Sequence, residues 1–178
     1  SVLNATTAHW GRALAEEVVK NFPDEAVYTV SAGISPSGAI HYGNFRDIVT
    51  SYAVKMALED MGKKAKFVFV FDDYDRFRKV PEGIDESYLD YIGKPLFALP
   101  DPTGEYGSWT EHNEKVFEAS MKEFGLDLEY VYAHKEYQAG RFDEQIIIAM
   151  QNREKIAKIL LRNMSDKSKV ANEIHEEE

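Results

Sequence analysis

The chain has 178 residues, of which 44% are hydrophobic and none is cysteine, with 21 basic against 31 acidic side chains and a formal charge of −10. This length supports one sizeable domain with a hydrophobic core, and the lack of cysteine excludes disulfides and thiolate metal sites. The acidic balance argues against a strong nucleic-acid binder as a whole, and no apolar run is long enough for a membrane span.

The first half of the chain predicts a βαβ unit. Residues 7–22 have the apolar spacing of an amphipathic helix, and a strand follows at about 27–32. A loop rich in Gly, Ser and Pro then leads into a helix near 44–61, and the apolar run at 66–71 is typical of a buried parallel strand. We therefore expect an α/β fold with a parallel sheet flanked by helices and a right-handed crossover.

The second half predicts a short helix, a longer helix, a third strand and a final amphipathic helix, at 87–92, 110–124, 128–133 and Phe142–Arg162. The acidic tail from Ala171 to Glu178 is expected to fray. No internal repeat and no linker to a second domain is visible in the sequence.

The loop at residues 32–44 is the most informative segment, since a strand, a tight loop and a helix start form the phosphate-binding corner of nucleotide-binding α/β folds. Its glycines let the backbone approach a phosphate or a base closely. His41 can donate a hydrogen bond to a phosphoryl oxygen, and the helix start adds N–H groups and a favourable dipole. Taken alone, the loop could equally be an ordinary turn between a strand and a helix.

Three blocks in unbroken order carry a family resemblance, namely Ser31–Asp47, Phe71–Pro81 and Pro100–Pro102. The first reads Pro-Ser-Gly-x-x-His-Tyr-Gly-Asn and resembles the first signature of class I aminoacyl-tRNA synthetases. All three together resemble class I lysyl-tRNA synthetases over about residues 8–160. The resemblance implies a Rossmann-like (HUP-type) sheet whose ligand site lies at the carboxyl ends of the strands.

The resemblance also implies roles for the loop residues. Gly33 and Ser35 would line a lysine pocket. The residues that would hold the phosphates and adenine of ATP are Ser37, Gly38, His41, Gly43 and Asn44. His41 and Asn44 would be catalytic, with Asn44 standing where most class I enzymes have a second histidine. Magnesium would bridge the ATP phosphates.

The acidic cluster Asp72-Asp73-Tyr74-Asp75 follows the second predicted strand directly, at the end of the sheet where open α/β folds bind ligands. Crowded carboxylates are costly unless a cation or hydrogen bonds compensate them, so we expect at least one to serve the site. Asp73 is the candidate for substrate binding, but which carboxylate faces lysine stays open. The alternative is a solvated acidic turn with arginine partners nearby.

The loop from Pro100 to His112 resembles a segment that carries Cys-His and completes a zinc site in some members of the family. This chain keeps Asp101 and His112 but has Glu105 and Tyr106 at the central positions. Tyrosine seldom binds zinc, so no metal site is expected and His112 is interpreted as a capping or packing residue. His9 is likewise interpreted as structural, and His134 belongs to no motif.

The resemblance implies ATP-dependent activation of lysine and its transfer to tRNA(Lys). Residues 1–170 would be the N-terminal part of the catalytic domain and 171–178 a flexible tail, without the second class I signature or an anticodon-binding domain. Lysine, ATP and tRNA(Lys) would be the partners of a cytoplasmic monomer that has no membrane contact. A basic patch could contact the RNA locally; its residues are Lys63, Lys64, Lys66, Arg76, Arg78 and Lys79.

Two alternatives stay open. The chain could be a stand-alone, non-catalytic paralogue that binds an adenylate or a protein partner. It could also be another adenylate-forming or nucleotidyl-transfer enzyme of the same superfamily, which substrate choice would distinguish.

Overall fold

A computed structural model of the chain describes residues 9–38 and 42–164. The chain divides into two compact units, with the boundary between Lys135 and Glu136. The helices and strands of the first unit are α1 (Trp10–Asn21), β1 (Tyr28–Ile34), α2 (Tyr42–Asp60), β2 (Ala65–Phe71), α3 (Trp109–Glu123) and β3 (Glu129–Tyr132). Two short 3₁₀ helices, Glu86–Tyr91 and Leu96–Ala98, lie between β2 and α3.

The three strands form one parallel sheet in the order β1-β2-β3. Ile34 pairs with Phe71, and Phe71 pairs with Tyr132, so the carboxyl ends of all three strands lie at the same level. The α/β prediction with a parallel, helix-flanked sheet is confirmed, and the residues that follow each strand meet at one edge.

The main core forms on one face of β2. Phe67, Phe69 and Phe71 are fully buried and belong to a cluster with side chains of α2 and α3. The Phe69 ring stacks on Phe117 of α3 with 4.7 Å between centroids. The valines that alternate with these phenylalanines are only half-buried, so β2 is less enclosed than its apolar sequence predicts.

A second cluster packs α1 against α2 and the start of β1, through Ala15, Tyr28 and Leu58. His9 is the N-cap of α1, because its Nδ1 accepts a hydrogen bond from the Gly11 backbone N–H at 3.3 Å. The structural interpretation of His9 is thereby confirmed.

The predicted single helix Phe142–Arg162 is wrong, because the second unit contains two helices, α5 (Asp143–Gln151) and α6 (Arg153–Asn163). They follow α4 (Ala133–Gln138), which crosses the boundary between the units and was not predicted. The break falls at Asn152, whose side-chain Nδ2 donates to the carbonyl of Ile148 at 2.8 Å and so competes with helix continuation. The predicted tail at 171–178 lies outside the described residues, as does the proposed domain limit at 170. Across residues 9–38 and 42–164, every helix is too short or too polar to span a membrane.

Candidate functional site

The edge of the sheet formed by the carboxyl ends of the strands holds the candidate site. Ser35 follows β1, Asp72 and Asp73 follow β2, and Ala133 and His134 follow β3. Because the strand ends are aligned in register, these residues converge without any long loop. Ligands of open parallel sheets bind at this edge.

The loop after β1 is held by a hydrogen bond from Trp109. Pro36 is fully buried, and its carbonyl accepts a hydrogen bond from Trp109 Nε1 at 3.0 Å. Trp109 itself belongs to a separate apolar cluster with Phe77 and Leu96. Through the Trp109 hydrogen bond, this cluster therefore holds the loop after β1 in position at the edge of the sheet. The sequence contains no motif that would have revealed the contact.

Gly33, near the end of β1, and Gly38, in the loop after it, have different surroundings. A Cβ on Gly33 would lie 2.8 Å from the carbonyl oxygen of Val70, so the close pairing of β1 with β2 requires a glycine there. A Cβ on Gly38 would meet no atom of the described residues within 4 Å, and its φ is not in the left-handed region. The fold therefore explains Gly33, whereas Gly38 leaves open space that a ligand could fill.

The structure describes only part of the signature itself. Gly43 and Asn44 lie in the first turn of α2, with Gly43 exposed and Asn44 half-buried. His41 lies outside the described residues. The helix start brings backbone N–H groups and the positive end of the helix dipole to the same loop.

The aspartates after β2 fall into different environments. Asp73 is fully buried, and its carboxylate accepts hydrogen bonds from the backbone N–H of His134 at 2.6 Å and from the His134 ring. Asp75 is exposed, and its Oδ2 accepts a hydrogen bond from Ser35 Oγ at 2.7 Å. Asp72 is exposed too, and partial burial together with the charges of Asp75 and Asp73 raises the pKa of its carboxyl.

Glu114 of α3 completes a buried polar cluster with Asp73 and His134. Its side chain is buried, and its Oε1 has no hydrogen-bond partner among the described residues. Burial, and then the neighbouring Asp73 carboxylate, raise the pKa of Glu114 to about 8. A protonated Glu114 can donate to Asp73, which removes the repulsion between two buried carboxylates.

Sequence reasoning missed this cluster. His134 was assigned to no motif, and only its position after β3 places it beside Asp73. Glu114 did carry a signal, since it lies three residues before Phe117 and seven before Met121, on the buried face of α3. A carboxylate at core spacing on an amphipathic helix indicates a buried, partnered acid.

A cavity of about 290 Å³ opens beside the loop after β1. Its polar lining combines hydroxyl groups with both signs of charge, and Phe77, Pro81 and Leu96 provide the apolar part; the polar residues are Ser35, Ser37, Asp75, Arg76, Arg78 and Lys79. Asp75, not Asp73, is the carboxylate in this lining. Such a cavity fits a small ligand that carries both an ammonium group and an anionic group.

The loop after Pro100 is organised by its own hydrogen bonds. The Asp101 carboxylate accepts from Thr103 Oγ1 and from the backbone N–H groups of Thr103, Glu105 and Tyr106. Burial would raise the pKa of Asp101, but these hydrogen bonds outweigh it and lower the pKa to about 2.

His112, in the first turn of α3, packs against this loop. Its Nδ1 is 3.2 Å from Asp101 Oδ1, and its ring is edge-on to Tyr106. Across the described ranges, no group of three or more His, Asp or Glu side chains is arranged so that it could hold a metal ion. The donor set here does not fit zinc, because Asp101 is already saturated by the loop. The expectation of no metal in this loop stays a prediction.

The three-stranded parallel sheet with its flanking helices is a Rossmann-like α/β fold, the class to which the catalytic domains of class I aminoacyl-tRNA synthetases belong. The sequence model of the class I tRNA synthetases (K) matches residues 8–174, and the chain belongs to this family.

Its relatives include the lysine–tRNA ligases of Pyrococcus horikoshii, 38% identical over 152 residues, Treponema pallidum, 38% identical over 165, and Methanosarcina barkeri, 39% identical over 156. The alignments cover 85%, 92% and 88% of this chain. They cover only 29%, 31% and 28% of the respective relatives, so the chain spans about 30% of their length.

Proposed function

We propose that the chain carries the N-terminal part of the ATP and lysine site of a lysine–tRNA ligase. In this reaction the lysine carboxylate attacks the α-phosphate of ATP, which gives lysyl-adenylate and pyrophosphate. The lysyl group then passes to a hydroxyl of the terminal tRNA adenosine. The observation that carries the proposal is the loop at 35–38, held over a cavity at the sheet edge in a chain whose relatives are lysine–tRNA ligases.

ATP would lie over this loop and the start of α2. Ser37 and Gly38 would approach the phosphates, and Gly43 and Asn44 would act from the first turn of the helix. His41 and Asn44 would stabilise the charge that builds up on the α-phosphate, so catalysis would rest on positioning and electrostatics. The open space at Gly38 supports this assignment.

Lysine would bind at the Ser35 side of the cavity, with Gly33 beside it on β1. The substrate role predicted for Asp73 stays a prediction. Its carboxylate is buried and accepts a hydrogen bond from His134. We propose Asp75 as the carboxylate that meets the lysine ammonium, because it lines the cavity and is held by Ser35. An ammonium group can donate a charge-assisted hydrogen bond to this carboxylate.

Magnesium remains part of the proposal only as an ion that accompanies ATP. The described residues offer no ready-made cage of carboxylates, and Mg²⁺ is commonly held by substrate phosphates together with one or two protein oxygens. A cytoplasmic, monomeric protein that takes lysine, ATP and tRNA(Lys) without membrane contact would fit this function.

Calorimetric titration with a non-hydrolysable lysyl-adenylate analogue tests the proposal, with the glutamyl analogue as control. We expect selective binding of the lysyl form. Asp75→Asn should weaken it about tenfold, which is about 1.4 kcal/mol. Asp72→Asn is the matched control, because Asp72 is exposed but does not line the cavity. Equal affinity for both analogues would contradict the lysine assignment, and binding of neither would mean that these residues alone do not form the adenylate site.

A further inference from the structure

The six residues of the predicted basic patch fall into two groups of three at opposite ends of β2. Lys63, Lys64 and Lys66 lie around the amino end of this seven-residue strand. Arg76, Arg78 and Lys79 follow its carboxyl end. At about 3.3 Å per residue, the two ends of this strand are about 20 Å apart.

The second group lines the cavity beside the loop after β1. Arg76, Arg78 and Lys79 are exposed and border the 290 Å³ space next to Ser35 and Ser37. Buried Phe77, which alternates with the arginines, anchors the segment in the apolar cluster below. This alternation turns the neighbouring cationic side chains outward, at the opening of the site.

Among the described residues, Arg76, Arg78 and Lys79 form no ion pair; in the first group Lys66 pairs with Glu129 at 3.1 Å, and Lys63 and Lys64 likewise form none. Asp75, the acid in the cavity lining, accepts a hydrogen bond from Ser35. These three cations lie within four residues of the sequence, in a chain whose formal net charge is −10. Such a cluster attracts phosphate groups, and guanidinium groups bind them bidentately.

We propose that Arg76, Arg78 and Lys79 bind the backbone phosphates of the single-stranded 3′ end of the RNA substrate. The proposal rests on the proposed function, because aminoacyl transfer requires the terminal RNA hydroxyl to reach the adenylate. An RNA end that enters the site has to pass its opening, where these exposed cations lie. ATP phosphates share the same chemistry, but Ser37, Gly38 and the start of α2 already offer them hydroxyl and N–H donors.

The test compares two triple variants of the 178-residue chain that change the net charge equally, from −10 to −13. The first is R76Q/R78Q/K79Q, and the matched control is K63Q/K64Q/K66Q at the other end of β2. The measurement is fluorescence anisotropy of a labelled single-stranded RNA that ends in CCA, over a series of salt concentrations. Thermal unfolding by circular dichroism confirms that both variants are folded.

We expect the first variant to bind the RNA at least about tenfold more weakly, with a salt slope reduced by about 2, since each lost phosphate contact removes about 0.7. The control should stay within about twofold of the unsubstituted chain. Equal weakening in both variants, unchanged affinity in the first, or no RNA binding by the unsubstituted chain would each overturn the proposal.

A parallel titration with a non-hydrolysable ATP analogue distinguishes the two phosphate sources. Loss of ATP affinity in R76Q/R78Q/K79Q without loss of RNA affinity would assign the cations to the nucleotide and overturn the RNA assignment. The lysyl-adenylate titration reports independently on the proposed function. RNA binding by the second group combined with no adenylate binding would leave the RNA site standing and reject the ligase site.

Discussion

At the scale of single residues, Gly33 and Gly38 allow the effects of fold and ligand to be separated. Gly33→Ala places a Cβ 2.8 Å from the Val70 carbonyl, so we expect it to lower the free energy of unfolding by about 1–3 kcal/mol. The added Cβ of Gly38→Ala meets no atom of the described residues within 4 Å, and we expect the substitution to change stability by less than about 0.5 kcal/mol. It should nevertheless weaken ATP binding about tenfold, because its Cβ occupies the space assigned to phosphate.

Urea unfolding and calorimetry on the two glycine variants provide these numbers. Normal ATP affinity in a fully folded Gly38→Ala chain would place the phosphates elsewhere. A fully stable Gly33→Ala chain would mean that β1 and β2 can separate slightly without cost.

The buried acid Glu114 predicts a pH-dependent stability. Its pKa is 4.5 in an unfolded chain and about 8 in the fold, because burial and Asp73 oppose its charge. The folded chain therefore keeps a proton that the unfolded chain releases, and the free energy of unfolding falls as pH rises from about 4.5 to 8. Glu118 also opposes the ionised form, whereas Lys135 favours it.

Glu114→Gln removes this titration and keeps an N–H donor towards Asp73. We expect the variant to gain stability over the unsubstituted chain at about pH 8 and to lose that advantage near pH 5. Thermal unfolding at both pH values measures the difference. The same pH slope in both proteins would show that Glu114 ionises normally in the fold.

At the scale of elements, the hydrogen bond from Trp109 to the loop after β1 leads to a separate prediction. Trp109→Phe keeps the ring in its cluster but leaves the buried Pro36 carbonyl without its 3.0 Å partner. An unsatisfied buried carbonyl costs about 1–3 kcal/mol. We expect ATP affinity to fall because the loop loses the hydrogen bond that holds it in position, while the sheet stays folded.

Calorimetry and near-ultraviolet circular dichroism measure the two effects of Trp109→Phe. Tyr88→Phe is a matched control, since Tyr88 belongs to the same cluster but donates to the Pro100 carbonyl, not to Pro36. Equal ATP affinities in all three proteins would show that the Trp109 contact does not position the loop.

The elements were predictable where local periodicity and burial agree. The apolar run of β2 and the amphipathic α3 identified their own positions to within a residue or two. The break at Asn152 was not predictable, because apolar residues continue on both sides and only a local hydrogen bond ends α5. His134 could not be placed either, since its role depends on the register of β2 with β3, which no local pattern encodes.

The candidate site shows the same division. Its loop and acidic cluster were visible as motifs, and the sheet register brings them together. The distinction between Asp73 and Asp75 was not visible, because consecutive side chains in a turn can face the core or the solvent with equal ease. Burial of Asp73 depends on Glu114 and His134, which are 41 and 61 positions away in the sequence.

At the scale of the whole molecule, the two units are expected to differ in local stability. Neither α5 nor α6 contains a buried residue, whereas β2 carries three fully buried phenylalanines. Elements with few buried contacts open at lower free energy. Hydrogen exchange should therefore protect the amides of β2 far longer than those of α5 and α6, by a factor of ten or more. Equal protection would mean that both units unfold in one cooperative step.

The hydrogen bond between Trp109 and Pro36 also provides an optical signal. The chain contains two tryptophans, of which Trp10 is 45% exposed and Trp109 only 3%. A Trp10→Phe variant would leave one indole, whose nitrogen donates to the Pro36 carbonyl in the loop that we propose to bind the nucleotide. Indole emission shifts with the polarity and hydrogen bonding at that nitrogen, so the emission wavelength of this variant should follow nucleotide occupancy without any attached dye.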